Sequence, residues 1–268
     1  MIIACYTSQM KLYQKFSDWI VDYGYMVRGA SASILYQTPP DHYQSYVLAH
    51  KLPVVVIPGI LGTWSFMKTL VDEISLAGHP VYVVPNLGYN LFNIPESARK
   101  IKSLIFKNPN ANELALLTLS KKASAIKETI DTAHGERVIL VAHSKGGLIG
   151  KYFLTHYNTN NKVIGMISIA TPYAGSSMAK LLPLEPISEL NVDSQIIKDL
   201  TENTSVNKDI VSIIPEYDNH VWSETGSYLE GADNIEIAVR GHHKIVFDKK
   251  VHAVVLESLE KITVKGDI

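Results

Sequence analysis

The sequence predicts an α/β fold, a mostly parallel central sheet with helices on both faces. Two observations carry this. Short aliphatic, β-branched runs recur between longer segments whose apolar residues fall at helical spacing, the pattern of βαβ units. No Pro/Gly/Ser-rich linker, repeat or charge block interrupts the 268 residues, so one domain over 1–268 is expected. At 46% hydrophobic and 19% charged, the chain has enough apolar mass for a sizeable core.

In chain order, residues 9–26 read as a helix within a mixed lead-in (1–45) that Pro39-Pro40 breaks. Residues 52–58 form a first strand closed by Pro58-Gly59, and 65–76 a helix stopped by Gly78. Residues 81–84 follow as a second buried strand. Helical spacing recurs over 95–107 and 112–133, the latter ended by Gly135. Further strands are expected at 137–142, 163–169, 210–214 and 235–239, with helices over 145–157 and 249–262. Residues 177–207 interrupt this rhythm. They read either as a cap or lid over a site, or as an ordinary packed helical connection.

A formal net charge of −1 argues against a nucleic-acid footprint. The single cysteine, Cys5, excludes an internal disulfide and reads as structural or incidental. With neither a signal peptide nor an apolar run long enough for a membrane span, a cytoplasmic location is expected, and a peripheral membrane contact stays open. Asn203-Thr204-Ser205 matches a glycosylation pattern, which means little without a secretory signal.

Sheets of this kind carry their sites at the carboxyl ends of strands. After the third strand comes Ala142-His143-Ser144-Lys145-Gly146-Gly147, a serine between strand and helix with small residues two before and two after it. A sharp nucleophile elbow needs those small neighbours. The helix behind it would aim the Lys145 N–H and its dipole at a developing oxyanion. The bland alternative is a serine that only caps a helix. The Lys145 side chain reads as a solvated cation or, less simply, as an anchor for an anionic group on a substrate. Pro58-Gly59-Ile60-Leu61-Gly62 follows the first strand, and Ile60 is expected to supply a second oxyanion N–H.

Elbow serines are followed in chain order by an acid and then a histidine. Gly241-His242-His243 lies at the end of the sixth strand, and His242 is preferred to His243 as base. His156, twelve residues along the helix from Ser144, is roughly 18 Å away at 1.5 Å per residue, and His252 falls within the last helix. Asp218, after the fifth strand, is the preferred acid, with Glu216 and Asp233 as rivals and His220 nearby.

These segments together resemble bacterial lipases and esterases of the α/β-hydrolase superfamily. The matching stretches are 54–62, 141–150, 169–176, 218–221 and 241–243, so the resemblance spans about 52–262. Ala142 stands where the usual elbow has glycine, and Tyr173 where the lipase Thr-Pro-His loop has histidine. The resemblance implies cleavage of carboxylic esters on small acyl-ester or lipid substrates through Ser144, His242 and Asp218, with no cofactor and no metal. Acyl transfer to an alcohol, thioester or amide cleavage, and a non-catalytic binding module are the other readings.

Overall fold

In a computed structural model the six strands predicted from sequence pair into one all-parallel sheet of order β2-β1-β3-β4-β5-β6. The strands are β1 (Val54–Ile57), β2 (Val81–Val83), β3 (Val138–His143), β4 (Val163–Ile169), β5 (Ile210–Tyr217) and β6 (Asp233–Arg240). The structure describes residues 2–84, 87–106, 137–181, 184–223 and 225–266. The helix expected over 112–133 lies outside the described residues.

Alternation along each buried strand builds two cores, one on each face of the sheet. Val55, Ile57, Leu140 and Ala142 point to one face. There they meet α3 (Ile94–Phe106), α4 (Lys145–His156) and α5 (Gln195–Glu202) through Ile101, Leu148, Phe153 and Leu200. Val54, Val56, Ile139 and Val141 point to the other face, against α2 (Lys68–Leu76) and α6 (Lys249–Gly266). At 0% exposure, Val54 to Ile57 are buried on both sides, which is why this run shows no polar alternation.

Three departures from expectation have local causes. The helix predicted at 65–76 starts as a 3₁₀ turn, Trp64–Met67, before α2 takes over. Strand β5 runs past Ile214 through Pro215 because its register with β6 shifts between Pro215 and Tyr217. Such an irregularity accommodates a residue that cannot donate to the ladder. The first helix, α1, spans Ile2–Leu35 rather than 9–26. Tertiary contact extends it: Gly29 packs against the Phe66 ring, and Ser33 Oγ accepts the Thr63 N–H at 3.4 Å. Its outer side exposes Tyr13, Phe16, Ile20 and Val27. No described helix is long and apolar enough to cross a membrane.

Candidate active site

Strand β3 delivers Ser144 into a backbone conformation of φ 54° and ψ −126°, and α4 starts at the next residue. A positive φ is uncommon for a side chain of this kind and stores strain that the surroundings must hold. They do so closely. The Ser144 N–H donates to the Ile169 carbonyl at 2.9 Å. A Cβ at Gly146 would collide with the Ile57 carbonyl oxygen, and one at Gly147 with the Thr171 side chain. Only glycines let the helix start this near the sheet. The Gly147 N–H donates to the Ser144 carbonyl at 3.0 Å, whereas the Lys145 N–H, at the first position of α4, has no intrahelical carbonyl to bond.

A hydrogen-bonded chain runs from this serine. Ser144 Oγ lies 2.8 Å from His242 Nε2, and His242 Nδ1 lies 2.8 Å from Asp218 Oδ2. The other Asp218 oxygen, Oδ1, accepts the N–H groups of His220 and Val221 at 2.8 and 2.9 Å. Asp218 is therefore the turn-former as well as the partner of the imidazole. Asn219 Oδ1 accepts the His242 N–H at 3.0 Å, and His143 Nε2 donates to the His242 carbonyl at 3.0 Å. The rival acids lie elsewhere. Glu216 pairs with Arg240 at 2.7 Å, and Asp233 opens β6 as an exposed residue. His156 stacks on Tyr152. His252 is packed, with Nε2 donating to the Val246 carbonyl at 2.8 Å.

Four imidazoles, from His143, His220, His242 and His243, crowd within ring-centroid distances of about 5 Å. Burial pushes His143 well below 6.5 and lowers His243. It brings His220 down to about 3. His242 alone is raised: burial opposes its charge, but the carboxylates of Asp218 and then Asp22 outweigh that. Burial likewise disfavours the Asp218 carboxylate, yet His242 and the two backbone N–H groups hold it below its ordinary value. One histidine of the four is thus biased to take up a proton.

A cavity of about 440 Å³ opens over Ser144. Its walls are mainly apolar, from Met26, Met178, Ile187, Leu190 and Val221, with Gly59, Ile60 and Leu61 on the side of β1. Gly59 comes so near that a Cβ would stand 3.0 Å from Ser144 Cβ. Asn90, buried at φ 54°, donates from Nδ2 to the Pro58 carbonyl at 2.7 Å and braces this turn.

A family model described as lecithin:cholesterol acyltransferase matches residues 117–250, half of the chain. The chain belongs to the lecithin:cholesterol acyltransferase family. Among solved structures, the mature lipase BlEst2 of Bacillus licheniformis is similar at 16% identity and a TM-score of 0.57, over 83% of this chain and 96% of that one. Lipase B of Aspergillus fumigatus is similar at 17% identity and a TM-score of 0.58, over 81% of this chain and 53% of that one. The α/β hydrolase MGS-MChE2, from a sediment metagenome of the Mar Chica lagoon in Morocco, is similar at 16% identity and a TM-score of 0.52, over 79% of this chain and 91% of that one. At such identities the likeness is one of fold, and the fold is the α/β-hydrolase fold. A search among curated proteins gives no match.

In this acyltransferase-family chain the Lys145 side chain departs from both expectations. It is neither solvated nor turned toward a substrate: it is wholly buried behind the elbow. Its Nζ pairs with Glu189 Oε1 at 2.5 Å and donates to the carbonyls of Phe92 and Pro186 at 2.8 and 3.0 Å. Glu189 Oε2 in turn accepts the Ile94 N–H at 2.9 Å. Burial lowers the Lys145 pKa from 10.5, and Glu189 opposes the shift. The pair ties the 177–207 segment to the elbow. The early part of that segment, with Met178, Ile187 and Leu190, lines the cavity. Its later part, α5, buries Ile197 and Leu200 in the core. Lys145→Ala would leave the mostly covered Glu189 carboxylate without its cation, at a cost of up to about 3–5 kcal/mol. That corresponds to a fall in Tm of roughly 10 °C for a domain of this size. The double change Lys145→Met with Glu189→Leu should recover part of the loss in thermal unfolding, since it removes the unpaired carboxylate but also takes a partner from the Phe92 and Pro186 carbonyls and the Ile94 N–H. An unchanged Tm in Lys145→Ala would rule out this role.

Asp22 on α1 is the residue that sequence reading missed. It is fully buried and bonds to His243 and Lys244, 221 and 222 residues further along the chain. The signal available was spacing: Trp19, Asp22, Met26, Gly29 and Ser33 fall at helical intervals. An acid within such a face asks for a buried partner. Asp22, His220 and His243 bring ligand-type atoms within 4.8 Å of one another. Asp22 Oδ2 and His243 Nδ1 already satisfy each other at 2.8 Å, so the group is internally paired.

Proposed function

We propose that this protein is a lipase- or esterase-like serine hydrolase with Ser144 as nucleophile, His242 as general base and Asp218 as the acid that orients it. The observation that carries the reading is the unbroken relay from Ser144 Oγ through His242 to Asp218 Oδ2, two contacts of 2.8 Å beneath an apolar cavity. Family membership and the fold support the coarser statement, an ester-cleaving hydrolase or acyltransferase.

In this scheme His242 Nε2 takes the Ser144 hydroxyl proton as Oγ attacks the ester carbonyl carbon. The N–H groups of Ile60 and Lys145 receive the oxyanion. The imidazolium returns its proton to the departing alkoxide, leaving an acyl-serine and free alcohol. Water then attacks the acyl carbon and gives one proton to His242; as the bond to Ser144 Oγ breaks, the imidazolium returns that proton to Oγ, releasing the acid and restoring the serine. The scheme needs no metal and no cofactor.

The apolar walls lead us to infer a preference for acyl chains longer than acetyl. Each buried methylene adds about 0.8 kcal/mol, or roughly fourfold in kcat/KM, until the cavity is filled. Hydrolysis of p-nitrophenyl esters from acetyl to palmitoyl, with fluorophosphonate labelling, tests this. A rise beyond acetyl supports the reading, whereas no turnover of any ester and no labelling would sink it. The family description favours a second reading, transfer of the acyl group to an alcohol. Product analysis with an added alcohol acceptor separates the two, because transfer yields a new ester at the expense of free acid.

A further inference from the structure

Gly241-His242-His243-Lys244 is a short connection, and the imidazole that touches Ser144 lies in the middle of it. Its backbone N–H groups are all engaged. Gly241 donates to the Tyr217 carbonyl at 2.8 Å and His242 to Asn219 Oδ1 at 3.0 Å. The N–H groups of His243 and Lys244 both go to Asp22 Oδ1, at 2.7 and 2.9 Å. Asp22 Oδ2 accepts His243 Nδ1 at 2.8 Å. One buried carboxylate on α1 therefore takes three of the bonds that set this connection. One turn earlier on α1, Asp18 Oδ2 accepts Nε and Nη2 of Arg240 at 2.9 and 2.8 Å, and Trp19 Nε1 donates to the Tyr217 hydroxyl at 3.1 Å. Helix α1 thus grips the chain on both sides of His242.

The glycine before the histidines follows from the same contact. Gly241 has φ 123°, and a Cβ there would stand 2.5 Å from Asp22 Oδ1. Any side chain would displace the carboxylate from the two N–H groups it holds.

We propose that Asp22 is a positioning residue for His242, a carboxylate supplied from α1 that fixes the Gly241–Lys244 connection and adds a second negative charge behind the imidazole. This inference rests on the relay reading above. The groups around His242 are Ser144 and His143 from the end of β3, Asp218 and His220 from the connection after β5, His243 beside it, and from α1 the charge of Asp22, with Tyr23 packed on His220. Arg240 is taken by Asp18 and Glu216. Asp218 and Asp22 are thus the two carboxylates of the group, and burial disfavours the charged forms of His143, His220 and His243.

The sign of the effect follows. His242 works as a base only when neutral, so kcat/KM rises with pH through its pKa. That pKa is raised above 6.5, with Asp22 among the causes. Asp22→Asn keeps an oxygen for the two backbone N–H groups and removes the charge. It is expected to retain most of kcat and to shift the acid limb of kcat/KM to lower pH. Asp22→Ala removes grip and charge together. It is expected to lower kcat on the order of tenfold to a hundredfold, the scale of a displaced catalytic group, with KM changed much less.

Both variants would be made in the full chain and assayed against p-nitrophenyl butyrate across pH, with thermal unfolding measured alongside. If Asp22→Ala fails to fold, Asp22→Asn decides through its pH profile. An acid limb unmoved in Asp22→Asn overturns the proposal. If Ser144→Ala and His242→Ala keep their activity, the relay reading itself has failed and the inference goes with it. If those two are inactive and the limb still does not move, the inference alone has failed.

Discussion

Ser144→Ala is expected to abolish ester cleavage, with kcat falling on the order of 10⁶-fold, the scale seen when a nucleophile is removed from an assembled relay. The change removes one oxygen and little else. The strained backbone at φ 54° is held by the Ser144 N–H bond to Ile169 and by the close packing at Gly146 and Gly147, none of which uses the hydroxyl. The variant should therefore unfold near the wild-type temperature. His242→Ala should cost a comparable amount. His243→Ala should cost far less, because its Nδ1 points to Asp22 and not to Ser144. Rates with a p-nitrophenyl ester and labelling by a fluorophosphonate give two independent readouts. Labelling that persists in Ser144→Ala would place the nucleophile elsewhere.

Asp218→Asn is expected to lower kcat about 10⁴-fold while leaving the cavity intact. The geometry dictates which way the amide faces. Backbone N–H groups of His220 and Val221 converge on Oδ1 at 2.8 and 2.9 Å, and only an oxygen can accept them. The amide nitrogen must then face His242 Nδ1, 2.8 Å away from the position of Oδ2. It would donate where the carboxylate accepted. The imidazole would answer by carrying its hydrogen on Nε2, the tautomer that cannot take the Ser144 proton. Steady-state kinetics check this, and a loss smaller than tenfold would mean that the acid is another residue. Glu216 is a poor substitute, half exposed and paired with Arg240.

Much of this was legible in the sequence, for definable reasons. Strands buried on both faces need unbroken aliphatic runs, so Val54–Ile57 and Val138–Ala142 identify themselves. A turn as tight as the one at Ser144 admits few residues beside it, which is why Ala142, Gly146 and Gly147 mark the spot. His242 and Asp218 could be selected because each follows a strand at its carboxyl end. Asp22 and Lys145 could not be read this way. Their roles depend on partners 221 and 44 positions away, reached only once the sheet has brought distant ends together. A lysine beside a serine reads as surface charge until Glu189 and two carbonyls are placed around it. The length of α1 was hidden similarly, since its continuation past Met26 rests on Phe66 and Thr63 rather than on local propensity.

The grip of α1 on the Gly241–Lys244 connection also bears on how the protein is made. During synthesis Asp22 emerges more than two hundred residues ahead of the N–H groups that will hydrogen-bond it. A carboxylate destined for complete burial must wait in water until the last strand has been added to the sheet, and contacts so distant in sequence are the slow ones to form. The same closure fastens α1 and completes the surroundings of His242. Ester-cleaving competence should therefore arise late and abruptly on the nascent chain, when the C-terminal connection docks, rather than accumulating with each strand.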